Sequence, residues 1–110
     1  MQFMRIVRTK RYVKDLKRLG VATGERDALE RSIAADPTAG DVVQGLRGIR
    51  KLRFAFGGRG KSGGGRVIYF LQLADDTALL LTAYAKNDKA DLSSNDRKAL
   101  LALVKELTDG

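Results

Sequence analysis

Two runs of strand-forming residues separated by a glycine-rich loop limit what this chain can fold into more than any other feature. From Ile49 to Phe56 the residues alternate, with Leu52, Phe54 and Phe56 on one face and Lys51 and Arg53 on the other. Period-two alternation is what a half-buried antiparallel strand requires. Gly57 to Gly65 reads as a loop, and Arg66 to Leu73, rich in Val, Ile, Tyr and Phe, reads as the returning strand. No Asp or Glu occurs between Val42 and Ala74, whereas Arg47, Arg50, Lys51, Arg53, Arg59, Lys61 and Arg66 place seven positive charges there, nearly all of the net charge of +8. A field of this kind attracts polyanions, of which nucleic-acid backbone is the commonest inside a cell. A solvated basic surface without a ligand is the plainer alternative.

With 110 residues and one proline, the chain fits a single domain over residues 1–110 and has no room for a second core. It contains neither cysteine nor histidine, which removes thiol nucleophiles, the usual zinc ligands and the usual imidazole base. Chemistry must therefore come from Lys, Arg, Tyr, Ser, Thr or carboxylates, and no metal or cofactor is expected. No apolar run approaches the roughly 18 residues that would span a membrane. The start, Met1-Gln-Phe-Met-Arg, lacks an apolar signal region, so the expected location is the cytoplasm.

In chain order, Phe3 to Val7 reads as a first strand. Thr9 then caps a helix with Tyr12, Val13, Leu16 and Leu19 on one face, ended by Gly20. Ala22 to Ala35 reads as a second amphipathic helix, closed by Asp36-Pro37 because the residue before proline disfavours helix. Thr38 to Gly48 reads mostly as a connection. After the hairpin, Asp75-Asp76 makes a turn and Ala78 to Lys86 a third strand, with Thr82, Tyr84 and Lys86 pointing one way and Leu79, Leu81 and Ala83 the other. If the leucine face meets the helices, then Lys51, Arg53, Thr82, Tyr84 and Lys86 emerge on the opposite, open face, bordered by Arg66. Ser93 to Leu107 forms the last helix, with Ser93 and Asp96 as a weakened capping box. The expected fold is α+β, a small antiparallel sheet with two N-terminal helices on one face and a C-terminal helix.

Two motifs in the loop lead nowhere. Gly58-Arg-Gly-Lys-Ser-Gly63 matches the dinucleotide pattern of spaced glycines, and Ala55 to Ser62 falls one glycine short of a phosphate-binding P-loop. Both need a helix directly afterwards to aim its N-terminus at phosphate, and here a strand follows. Asp88, Asp91 and Asp96 read as a solvated rim and a helix cap rather than a metal site. Lys51, Arg53, Arg66 and Lys86 are different, because four cations converging on one patch repel one another unless an anion binds there.

The succession Gly-Ile-Arg-Lys-Leu-Arg-Phe, a Gly-Arg-Gly-Lys loop, Gly-Gly-Arg-Val-Ile-Tyr-Phe, then Leu-Leu-Thr-Ala-Tyr-Ala-Lys-Asn-Asp-Lys-Ala-Asp-Leu resembles the HigB-type branch of the RelE/ParE toxin superfamily. The resemblance extends from about Asp41 to the C-terminal helix. It implies a RelE-like fold with a mixed edge to the sheet, and a toxin of a type II toxin-antitoxin pair. Such a toxin is a ribosome-dependent mRNA interferase that inhibits translation, silenced by a HigA-like helix-turn-helix antitoxin through which alone it meets operator DNA. No membrane partner is implied. The family's basic strand positions fall on Lys51 and Arg53, its arginine on the next strand on Arg66, and its basic residue after the following strand on Lys86. The tyrosine that some ribosome-dependent relatives carry near the last helix aligns with Leu92, and Tyr84 is expected to substitute for it.

The reaction implied is attack of a messenger 2′-hydroxyl on the adjacent phosphate, leaving a cyclic phosphate and a 5′-hydroxyl without a metal ion. Arg53 and Arg66 would hold the phosphate, and Lys51 or Lys86 would act as general base, losing its proton more readily among other cations. Tyr84 would stack on a base or share proton transfer. Arg50, Arg59, Lys61 and Lys89 are expected to bind RNA and ribosomal phosphates. Two other readings stand beside this one: a ParE-like inhibitor of DNA gyrase with no nuclease site, and a non-toxic nucleic-acid-binding module.

Overall fold

The computed structural model describes residues 4–58, 60 and 64–109. The first strand, β1, runs Arg5–Arg8 and leads into helix α1 at Lys10–Leu19. The Thr9 hydroxyl accepts the Tyr12 N–H at 3.2 Å and so caps α1, while donating to the Leu80 carbonyl at 2.8 Å. Gly20 ends the helix at φ 75°, a left-handed conformation that a Cβ would oppose. Helix α2 follows at Thr23–Ala35. Its Glu25 carboxylate accepts the Ala22 N–H at 2.9 Å and the Gly57 N–H at 2.7 Å, tying the start of α2 to the far turn.

Beyond α2 come β2 at Asp41–Val42, β3 at Arg50–Phe54, β4 at Gly65–Gln72 and β5 at Thr77–Ala85. A short 3-10 turn, Leu73–Asp75, joins the last two, and helix α3 at Ser94–Asp109 completes the domain. The sheet runs in the order β1-β5-β4-β3-β2, antiparallel throughout except that β1 pairs with β5 in parallel. The expected α+β architecture is therefore present, including the mixed edge. The connection expected over Thr38 to Gly48 contains a two-residue strand in addition.

Each face of the sheet carries its own core. Tyr12, Leu16, Leu29 and Ile33 of α1 and α2 pack with Phe54, Phe56, Val67, Tyr69, Leu80 and Ala83. Leu92 and Leu100, at the end of the connector and in α3, pack on the other face with Ile49, Ile68, Leu79, Leu81 and Tyr84. Strand β5 is consequently buried at every position, and the face opposite α1 and α2 is roofed rather than open. Nor do Leu79, Leu81 and Ala83 share a side. The pairing of β4 with β5 shifts register between Ile68 and Tyr69, which partner Thr82 and Leu80, leaving Leu81 as an extra residue. An inserted residue reverses the parity of everything after it. Leu79, Leu81 and Tyr84 thus face α3, and Leu80, Ala83 and Ala85 face the other two helices.

Polar groups join these layers. Arg8 donates from Nε at 2.9 Å and from its terminal nitrogen at 2.8 Å to the Glu30 carboxylate, which also accepts the Tyr12 hydroxyl at 3.0 Å. One buried carboxylate on α2 thereby holds β1 and α1, and its charge adds to burial in pushing the Tyr12 phenol far above its ordinary value. Strand β1 covers only Thr77 to Leu80 of β5, after which α1 takes over the edge. There Asp15 accepts the Thr82 hydroxyl and the Ala83 N–H.

The cap of α3 closes reciprocally although aspartate is the shorter acid. The Ser93 hydroxyl accepts the Asp96 N–H at 3.0 Å, and the Asp96 carboxylate accepts the Ser93 N–H at 3.0 Å and pairs with Lys89 at 2.9 Å. The Ser93 N–H first, and then Lys89, hold the Asp96 carboxyl down at about 2 from an ordinary 3.8. Because the folded value is the lower one, this contribution is complete above about pH 4 and is lost as pH falls toward 2. Urea unfolding at pH 5 and at pH 2.5 should show a smaller drop in stability for Asp96→Asn than for the wild type, by about 1 kcal/mol. An unchanged drop would mean that the cap does not hold this proton equilibrium.

Candidate active site

The site grows from strand register. Arg53 on β3 stands opposite Arg66 on β4, and Arg66 stands opposite Tyr84 on β5, so the three lie side by side across the sheet. They share the α3 face, because the neighbouring row, Leu52, Val67 and Ala83, belongs to the α1/α2 side. Lys51 partners Ile68, itself in the α3-side core, and lies two residues before Arg53 on the same face. Lys86 follows β5, its N–H donating to the Gly64 carbonyl at 3.0 Å, which extends the pairing by one step. Gly65 is required here: it partners Phe54, and a Cβ on it would sit 2.5 Å from the Phe54 ring.

Lys51, Arg53, Arg66 and Lys86 line one cleft of about 540 Å³ together with Ala39, Asp41, Leu52 and Ala90. The four cations expected to converge do so. Arg53 and Lys86 are exposed and Lys51 is half-buried, whereas Arg66 is only 8% exposed, with its guanidinium donating to the Gly65 carbonyl at 3.0 Å. Lys51 pairs with Asp91 at 3.5 Å. The Leu92 N–H, at 2.8 Å, and then Lys51 hold the Asp91 carboxyl below its ordinary value. A deep arginine between two exposed cations suits a phosphate gripped from below and flanked on both sides.

Tyr84 is in line with the two arginines but beneath the surface, 3% exposed and packed in the α3-side core. Its hydroxyl is buried with no hydrogen-bond partner among the described residues, and the Lys89 ammonium sits 5.2 Å from its ring centroid. Burial, reinforced by Asp91, pushes its phenol up, with Arg66 opposing. A phenol so placed is neutral at pH 7 and does not suit the part of a base. With Lys89 over the ring, no face is open for a nucleobase to stack on.

The other expected RNA contacts divide. Lys89 flanks the site, held by Asp96 and Tyr84. Arg50 is on the opposite face, where it partners Tyr69 and donates to the carbonyls of Thr38 and Gly40 at 3.3 and 2.7 Å. Arg59 and Lys61 lie outside the described residues. The structure adds Asp41, brought opposite Lys51 by β2, and Asp91, from the connector to α3. Neither follows from local pattern. No group of three or more metal-ligating side chains occurs among the described residues, and no helix there is long and apolar enough to cross a membrane.

A family model described as the RelE toxin of the RelE/RelB toxin-antitoxin system matches residues 4–109. Among solved structures, an arginine double variant of E. coli toxin RelE in the free state superimposes with a TM-score of 0.61 at 11% identity, covering 94% of this chain and 98% of that one. The crystal structure of the isolated E. coli RelE toxin in its P21 form gives a TM-score of 0.55 at 14% identity, covering 91% and 98%. At such identities the two structures share the fold, and the family model, spanning nearly every residue, carries the assignment. The chain belongs to the RelE toxin family and is a toxin of a toxin-antitoxin system.

Proposed function

We infer that the protein is a ribosome-dependent endoribonuclease of the HigB type, acting in the cytoplasm on translated messenger RNA and neutralised by a HigA-like antitoxin. One observation carries this reading: Arg53 and Arg66 face each other across adjacent strands, with Lys51 and Lys86 on the walls of the same cleft. A protein that only docks on a large partner has no need to crowd four cations into one concavity. A pentavalent phosphorane, with charge developing on its equatorial oxygens, does need them.

In the mechanism proposed, Arg66 and Arg53 hold the scissile phosphate and stabilise that charge. Lys86 takes the proton of the attacking 2′-hydroxyl, and the ammonium of Lys51, paired with Asp91, protonates the departing 5′-oxygen. The bond between phosphorus and the 5′-oxygen breaks as the 2′-oxygen bond forms, giving a 2′,3′-cyclic phosphate and a 5′-hydroxyl. Positioning on the ribosome supplies the in-line geometry, and the fixed cations supply the electrostatic stabilisation.

The test is mapping of messenger ends in a purified translation system with wild type beside Lys86→Ala. Discrete new ends within ribosome-bound codons, reduced by about 10²-fold in the variant, are the expected result. Intact messenger in the presence of arrested growth, with DNA supercoiling by gyrase inhibited, would replace the nuclease with a gyrase poison.

A further inference from the structure

Beside the cationic cleft is a second pocket of about 440 Å³ with different chemistry, lined by Asp41, Val42, Val43, Gln44, Lys51, Asp91 and Arg97. The two concavities share Asp41 and Lys51 as a common wall. A cleft meant only for phosphate is poorer for having carboxylates at its border, since they repel the ligand. Asp91 is neutralised by Lys51. Asp41 is not: across β2 and β3 it stands in register with Lys51, yet no described residue gives its carboxylate a hydrogen bond or an ion pair.

An unpaired acceptor next to a phosphate grip fits the other half of a nucleotide. The base hangs from the ribose that carries the phosphate, so whatever reads the base must adjoin the cleft. Val43 offers apolar surface to a flat ring, while Gln44 and Arg97 supply an amide and a guanidinium at its edge. Arg97 is fixed for this by donating to the Gln44 carbonyl, which anchors α3 to the wall of the pocket.

Resting on the nuclease reading above, we propose that this pocket reads one of the two nucleotides flanking the scissile phosphate, and that Asp41 is its specificity-determining residue. A carboxylate only accepts hydrogen bonds. It pairs with the exocyclic amino groups of adenine, cytosine and guanine, whereas uracil offers it only the ring N3–H, set between two carbonyl oxygens that it repels. The ligand class is thus an amino-bearing base, with uracil disfavoured.

The experiment is end mapping in the purified translation system, on a messenger whose codons place all four bases at each flanking position. The readout is the ratio of cuts at uracil to cuts at the other three bases within each protein. For the wild type this ratio should be at most about one in ten at one flanking position. Asp41→Asn replaces the acceptor with a group that both donates and accepts, and should bring the ratio to within about threefold of parity there. Asp41→Ala should relax it in the same sense, and thermal unfolding of both variants checks that they are folded. Wild-type cutting at uracil as readily as elsewhere would overturn the proposal, as would an unchanged ratio in folded variants. Absence of cutting by the wild type would instead remove the nuclease reading on which the proposal rests.

Discussion

Arg66→Ala is expected to lower the rate of messenger cleavage on programmed ribosomes by about 10²- to 10³-fold, the loss typical of removing one preorganised charge-stabilising donor. The size follows from depth. Arg53 and Lys86 are solvated, and their fields are diluted by water, whereas Arg66 is nearly buried between Arg53 and Tyr84 and acts through a lower local dielectric. Arg66→Lys should recover part of the rate and remain about tenfold below wild type, since the charge persists but the planar two-point grip does not. Single-turnover rates measure the chemical step, and a folded Arg66→Ala protein within threefold of wild type would remove Arg66 from the mechanism.

Glu30→Ala should be the most damaging change to stability. The Glu30 carboxylate is the shared acceptor for Arg8 and the Tyr12 hydroxyl, and Tyr12 is fully buried. Its removal leaves a buried phenol without a partner and releases β1 and α1 from α2. The expected loss is about 3 kcal/mol, seen as a fall in melting temperature of roughly 10–20 °C. Combining it with Tyr12→Phe should recover part of the loss, because the stranded hydroxyl goes too. If the two changes are simply additive, the hydroxyl and the carboxylate are not coupled and the network does not account for the loss.

Legibility in the sequence followed the range of the physics. Thr9, Gly20 and Ser93 act through bonds within a turn of themselves, and each marks a boundary where local chemistry places it. The hairpin was legible for the same reason, and with it the convergence of Lys51, Arg53 and Arg66. The pair at β2 was not, because two residues become a strand only when Lys51 and Arg50 arrive from elsewhere to pair with them. Tyr84 fails similarly: alternation placed it on an exposed face, but the extra residue at Leu81 and the packing of α3 decide its burial. Arg50 differs from both. Its even position relative to Leu52 and Phe54 already assigned it to the face away from Lys51, and its charge alone suggested the RNA side.

Asp15 has a consequence for how the molecule behaves when its antitoxin is absent. Strand β5, apolar but for its two threonines, is buried at every position, and past Leu80 its β1-side margin has no strand beside it among the described residues, while β4 pairs with its other margin. An uncovered margin of that composition is a template onto which a second molecule could add a strand, and then a third. Here a single carboxylate, holding the Ala83 N–H and the Thr82 hydroxyl, occupies the template with a helix that cannot propagate it. At the far margin β2 is only two residues long, too short to seed such growth. That margin is thus closed by Thr9, at the Leu80 carbonyl, and by Asp15, at the Ala83 N–H, rather than left to a further strand.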